Sequence, residues 1–329
     1  MKHTWKPKEI AEALNRQLER LMPVISPTGV VLGFLFPGVF NQLRPFVPWI
    51  FSLMTLSGAL KLQARELGNS VRNPVPVLLY FVSAHVFMPF LVFFLAGIIF
   101  RGESDTIAGF VLLYASPAAV TAFIWVTIFR GDLALALALI LLDTLVAPLV
   151  MPGTVFLLLG TKVVLDMTGI ALSLALMVVL PTIVGVTANE ISRGKIPALL
   201  CPCLNPLSKL LIILLLAANV SAVAPHVHLN SSTVWLILFF CIFFSIMGFV
   251  LAKLTGILAR LNPRKKTSLF FIAGLRNTVA ASTIAIAYFP EAAAQPAIFG
   301  IMFQQVMAVF MGKFLLRPEK QKGAGNGGD

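Results

Sequence analysis

Charge is what this chain has least of. Only 12% of its 329 residues are Asp, Glu, Lys or Arg, about half the roughly 25% of a soluble globular protein. Too little polar surface remains to keep a protein of this size in water. Acids are scarcer still, 13 against 25 Lys and Arg. Cysteine is nearly absent. Cys201, Cys203 and Cys241 make an odd count, and Cys201-Pro-Cys203 lacks the two-residue spacer of redox and zinc pairs. No HExxH or GxSxG string occurs. One acid at membrane depth cannot form an aspartyl dyad, so no enzyme, no cofactor and no metal is expected. His226-x-His228 has no third ligand nearby and reads as a solvated loop. The first 21 residues carry five cations and no apolar core, so no cleavable signal peptide is expected.

What the chain has is apolar length. Hydrophobic residues make up 58%, with a mean hydropathy of +0.93, and they fall in charge-free runs close to the ~20 residues that cross a bilayer core. The fold class is all-α and polytopic, with the lipid bilayer as its solvent. Ten spans are expected at 22–41, 45–62, 74–100, 106–129, 133–152, 165–188, 205–224, 233–252, 267–289 and 295–316. Ahead of them, residues 1–21 form an amphipathic segment, with Ile10, Leu14, Leu18 and Leu21 on one helical stripe. Residues 317–329 form a polar, Gly-rich tail expected to be disordered.

The net charge of +12 does not mark a nucleic-acid partner, because Lys and Arg sit between the apolar runs, where they set orientation. With both termini cytoplasmic, the inside segments hold 20 Lys and Arg and the outside loops hold three, Arg44, Arg101 and Lys162. Both ends are therefore expected on the cytoplasmic side of a cell membrane. Residues 106–152 and 267–314 form two similar hairpins, turning at Phe129-Arg130-Gly131-Asp132 and at Phe289-Pro290-Glu291, each followed by Ala-rich sequence. An offset near 158 divides the chain into five-span repeats, 22–160 and 161–316. An odd span number inverts one against the other.

Ionisable residues at membrane depth carry the functional signal, since each costs at least ~2.5–3.5 kcal/mol at a span centre. Asp143 is the one deep acid, Arg276 the one deep base, and His85 lies mid-span. Lys209 is near enough to an end to snorkel. Asp143 and Arg276 occupy corresponding hairpins. They are read as a pair that either locks the two halves together or contacts substrate or coupling ion. Spans four and nine also carry backbone breakers, in Ser116-Pro117-Ala118-Ala119-Val120-Thr121 and in Gly274-Leu275-Arg276-Asn277-Thr278. Proline removes a backbone donor, and unwound backbone at this depth must be buried in protein or line a wet cavity. Broken helices in matching positions of inverted halves point to a transport site.

The runs 116–152 and 273–305 resemble helices four and five, and nine and ten, of the bile acid:sodium symporter family. The shared features are Pro117, Arg130-Gly131, Pro148, Gly274, Asn277, the Ala-rich stretch before Ile298-Phe299 and, in the third helix, Met88-Pro89. The resemblance implies ten helices in a panel and a core domain, with helices four and nine crossing at the substrate site. It implies organic-anion substrates, such as bile acids, pantoate-like acids and other carboxylates or sulfonates. Pro117, Ala118, Thr121, Arg276, Asn277 and Thr278 are the substrate-site residues it suggests. It also exposes a departure. Where the family's sodium ligands belong, this sequence has Ala84, Ala122, Phe123, Ala136, Ile140, Ile272 and Arg276. A hard cation needs oxygen ligands, and none of these side chains has one. The expected function is therefore alternating-access transport of a small organic anion without sodium, with Arg276 supplying fixed positive charge. Asp143 either pairs with Arg276 or carries a coupling proton, with His85 beside them. A uniporter or exporter of the same fold, an arsenite- or auxin-type carrier, and a non-transporting sensor are the alternatives; the lack of Cys in span four counts against arsenite.

Overall fold

A computed structural model describes residues 7–64, 74–160, 166–227 and 231–316. Among them every regular element is helical, apart from one isolated antiparallel bridge between Ala118 and Arg276. The expected tail, 317–329, lies outside the described residues.

Helix α1, Pro7–Leu35, joins the amphipathic segment and the expected first span without a break. No break in the helix marks the boundary expected near residue 21. The chain then turns sharply at Phe36-Pro37. Pro27–Leu35 and Pro37–Ala59 meet at 101°, and the second arm ends in α2, Val47–Ala59. The next segment, Val75–Ile99, is long and apolar enough to cross a membrane. It comprises α3 (Val75–Phe81), a π-turn (Val82–Phe87) and α4 (Met88–Ile99). A proline ring displaces the carbonyl four residues before it, and Pro89 does so at His85, inside the widened turn.

After α5 (Ser104–Ala115) and the short α6 (Ala122–Ile128) comes α7, Leu133–Leu159, capped by Asp132, whose side chain accepts from Leu135 N at 3.0 Å. Then follow α8 (Met167–Leu174), a second π-turn ahead of Pro181, α9 (Leu180–Ser192), α10 (Lys195–Val223) and α11 (Ser232–Leu258). The last three are α12 (Pro263–Gly274), α13 (Thr278–Tyr288) and α14 (Gln295–Leu315). Among the described residues, six segments have the length and hydropathy of a span, or seven with the bent pair. The expected fourth and ninth spans are interrupted helices, α5/α6 and α12/α13, with their breaks at the expected Ser116-Pro117 and Gly274-Leu275.

Helices α1, α2, α9 and α10 pack together on one side of the molecule. The interrupted helices pack with α7, α11 and α14 on the other. Small residues set the first contact: a Cβ on Gly33 would lie 2.6 Å from Ala217 O of α10, and one on Gly29 would lie 2.9 Å from Ile213 O. This small-xxx-small spacing lets two backbones approach in a medium where apolar burial alone gives no preference for protein over lipid. Gly33→Ala should therefore lower the thermal unfolding midpoint of the purified protein, by an overpacking cost of about 1–3 kcal/mol. Gly97→Ala, where a Cβ meets nothing within 4 Å, should not lower it. Equal midpoints for the two variants would contradict the packing argument.

Candidate functional site

Both helix breaks follow from local sequence. The residue before a proline is disfavoured in helical conformation, and Ser116 is extended at φ −63°, ψ 153°. Its hydroxyl donates to Leu113 O at 2.7 Å, so that carbonyl, which the proline ring prevents from accepting a helical bond, still has a partner. In the second break, Gly274 ends α12 against α11, where a Cβ would come within 2.3 Å of the Phe249 ring. Leu275 is then extended at φ −110°, ψ 106°. Asn277 starts α13 by accepting from Ala280 N at 3.0 Å.

Unwinding two helices inside a bilayer strands polar backbone, and each break supplies the partners of the other. Ala119 N donates to Leu275 O at 2.9 Å and Asn277 N to Pro117 O at 2.7 Å. The Arg276 guanidinium donates to Ser116 O, and Gln304 Nε2 of α14 to Arg276 O at 2.6 Å. Four carbonyls freed at the crossover are thus held by protein donors.

Asp143, at mid-α7, is 0% exposed and sits directly behind the crossover. Its Oδ2 accepts from Ala118 N and from the Tyr80 hydroxyl, both at 2.5 Å. His85 Nε2 lies 2.7 Å from Oδ1. Arg276, 2% exposed, places Nη1 3.4 Å from the Tyr80 hydroxyl and Nη2 3.4 Å from both ring nitrogens of His85. Arg276 and Asp143 do not form the direct ion pair that the sequence suggests. Tyr80 and His85, projecting from α3 and the π-turn after it, stand between them. The four side chains form one buried polar cluster in which two full charges are bridged by a hydroxyl and an imidazole.

A cavity of about 290 Å³ opens on the opposite face of the crossover, between it and helices α2 and α10. Of the residues expected at the substrate site, Thr121, Arg276, Asn277 and Thr278 line it. Pro117 and Ala118 are buried in the crossover instead. Gln304 and Gln305 of α14 contribute to the same wall, while Lys61 and Lys209 lie on its far side. Lys209 is thus a cavity residue as well as a near-terminal one; its ammonium donates to Asn15 Oδ1. No described acidic residue lines the cavity. Sequence reading overlooked Tyr80, Gln304 and Gln305. Two adjacent amides within an apolar span were a visible signal, by the same cost that singled out Asp143.

Six of the seven positions where the resemblance implies sodium ligands, all but Arg276, fall in one apolar cluster. Ala84, Ala122, Ala136, Ile140 and Ile272 are buried in a single apolar cluster with Phe270 and Phe271, and Phe123 packs against it. Among the described residues, no group of three or more His, Cys, Asp or Glu could hold a metal ion.

The sodium bile acid symporter family matches residues 47–228. The uncharacterized protein YbaS of Bacillus subtilis is 33% identical over 308 residues, which cover 92% of this chain and 100% of the relative. The sodium-dependent transporter YocS, also uncharacterized and also of Bacillus subtilis, is 23% identical over 297 residues, 90% of this chain and 91% of its own. The arsenical-resistance protein Acr3 of Alkaliphilus metalliredigens is 26% identical over 181 residues, about half of either chain. With a family match over more than half its length and a relative aligned from end to end, this chain belongs to the sodium bile acid symporter family and is a membrane transporter rather than an enzyme.

Proposed function

We propose that the protein is a secondary transporter of a small organic anion, a carboxylate or sulfonate, that works by alternating access without sodium. The observation that carries this reading is the cavity at the crossover, with Arg276, Lys61 and Lys209 on its walls and no described carboxylate. Arg276 supplies a fixed positive charge, and Asn277 and Thr278 hydrogen-bond the substrate. Apolar side chains of α2 and α10 face them and suit an amphipathic ion. Sodium coupling is disfavoured on two grounds. The side chains at the expected ligand positions other than Arg276, a cation, are apolar and packed together, and the carbonyls freed by the breaks already accept from Arg276, Gln304 and backbone amides. The buried His85–Asp143 contact is the proton site if transport is proton-coupled. An arsenite substrate is disfavoured because none of Cys201, Cys203 and Cys241 lines the cavity.

In this reading the chain forms ten spans in two inverted five-helix repeats, 22–160 and 161–316, with both termini cytoplasmic. The cavity then opens to the cytoplasm, since Lys61 and Asn205 lie beside segments that the charge count places inside. With the native cysteines replaced by Ser, His3→Cys and Val227→Cys should be labelled from opposite sides of the membrane by an impermeant maleimide. Labelling from the same side would refute this topology. The functional test is uptake of labelled organic anions into proteoliposomes under an imposed proton or sodium gradient. Anion uptake without a sodium gradient is the expected result; uptake that requires a sodium gradient, or no uptake of any anion, would refute this reading.

A further inference from the structure

The cavity has a closed end, and polar side chains hold it shut. Along α10 the cavity is lined from Asn205 at its mouth to Leu216, and along α13 by Thr278 and Val279. The next helical turn of each helix, three or four residues on, carries Asn219 and the pair Ser282 and Thr283. The Ser282 hydroxyl gives its proton to Val279 O at 3.0 Å, so Asn219 must offer it the amide nitrogen. Asn219 Nδ2 donates to Ser282 Oγ at 3.0 Å and to Thr283 Oγ1 at 3.2 Å, one bond for each of its hydrogens. All three side chains are buried. Farther along α13, roughly 7.5 Å from this pair, Tyr288 makes a second crossing. Its hydroxyl donates to Gly169 O at 2.9 Å. A phenol has a single proton, so Ser173 is the donor in the 2.5 Å contact between the two hydroxyls. Gly169 and Ser173 belong to α8, which continues through the second π-turn into α9.

Resting on the alternating-access reading above, we propose that these two layers, Asn219 with Ser282 and Thr283 and Tyr288 with Ser173 and Gly169, form the gate at the far end of the cavity, and that access from the far side of the membrane opens when α13 parts from α10 and α8. Their position carries the inference. The first layer lies one helical turn beyond the last cavity residues on both walls, and the second continues along the same boundary. The chemistry suits a contact that opens. Polar groups held by protein in the closed form are taken over by water in the open one, so parting strands no donor or acceptor. The hydrogen bonds exist in the closed form and so set how rarely the gate opens. Asn219 and Tyr288 lie outside the cavity lining and act on access rather than on binding.

The test uses the full-length protein in oriented membrane vesicles, with Cys201, Cys203 and Cys241 replaced by Ser. Ile212→Cys, on the cavity wall, reports the access of an impermeant maleimide added on one side at a time. Reagent on the mouth side should label it readily in every variant. From the far side the parent protein should label slowly. Asn219→Ala and Tyr288→Phe should each raise the far-side rate by roughly threefold or more, and the double variant should raise it further. Tyr288→Phe keeps the ring and provides the decision if Asn219→Ala does not fold. Ser57→Ala removes a hydrogen bond to Asn205 within one helix group and should leave the far-side rate unchanged. Unchanged far-side rates in the gate variants, or an equal rise in Ser57→Ala, would overturn the gate. Labelling needs no substrate, so a failed gate beside intact anion uptake leaves the transport reading standing. A parent protein that neither takes up any anion nor labels from the far side would overturn both.

Discussion

Arg276→Ala should abolish anion binding and destabilise the protein by about 3–5 kcal/mol, the usual consequence of removing one partner from a buried charge cluster. The effect is large because the guanidinium has three roles at once. It satisfies Ser116 O, a carbonyl freed by the Pro117 break. It balances Asp143, which is 0% exposed, through Tyr80 and His85. Its residue also lines the cavity. Arg276→Lys should recover part of the stability and little of the binding, because one ammonium cannot reproduce the planar fork that reaches Ser116, Tyr80 and His85 together. Thermal unfolding with a binding titration on the same preparations separates the two effects. Wild-type binding by Arg276→Gln would remove this residue from the substrate site.

Asp143→Ala is expected to be of similar severity for a different reason. The Asp143 carboxylate receives the backbone N–H of Ala118 and the hydroxyl of Tyr80. Its loss leaves both donors unpaired and leaves Arg276 buried without a counter-charge, again a cost of about 3–5 kcal/mol. Asp143→Asn should be milder, since an amide oxygen still accepts from Ala118, but it should change the pH dependence of transport if His85 and Asp143 hold the coupling proton. The two charges communicate through bridging groups, so a double-mutant cycle on stability with Arg276→Gln and Asp143→Asn should be non-additive by more than ~0.5 kcal/mol. Tyr80→Phe should diminish that coupling. Additive effects would mean that the cluster is not energetically connected.

Most of this architecture was legible because the forces that create it act locally. Long apolar runs declare spans, and Pro117 and Gly274 break helices wherever they occur in such a run. Asp143 and Arg276 were conspicuous through the cost of burying them, and their placement behind and beside the crossover follows from the breaks. What could not be read was how the deep charges meet. The intervening Tyr80 and His85 come from α3 and its π-turn, and only tertiary packing brings that segment to α7 and α12. The pairing of Asn219 with Ser282 and Thr283 was equally hidden, because it joins residues 63 and 64 positions apart in sequence. Continuity of α1 was missed for the opposite reason. A change from mixed to apolar composition at residue 21 suggested a boundary, but the backbone hydrogen-bond ladder has no reason to stop there.

The most direct test of the account is the ion dependence of anion uptake. Purified protein in proteoliposomes should accumulate a labelled organic anion at the same initial rate whether the external cation is sodium, potassium or choline. Sodium should likewise produce no stabilisation in thermal unfolding, because Ala84, Ala122, Ala136, Ile140 and Ile272 offer it no side-chain oxygen and are packed into an apolar cluster. Uptake or stabilisation that rises with sodium to a millimolar midpoint, and is not reproduced by potassium or choline, would contradict the central claim.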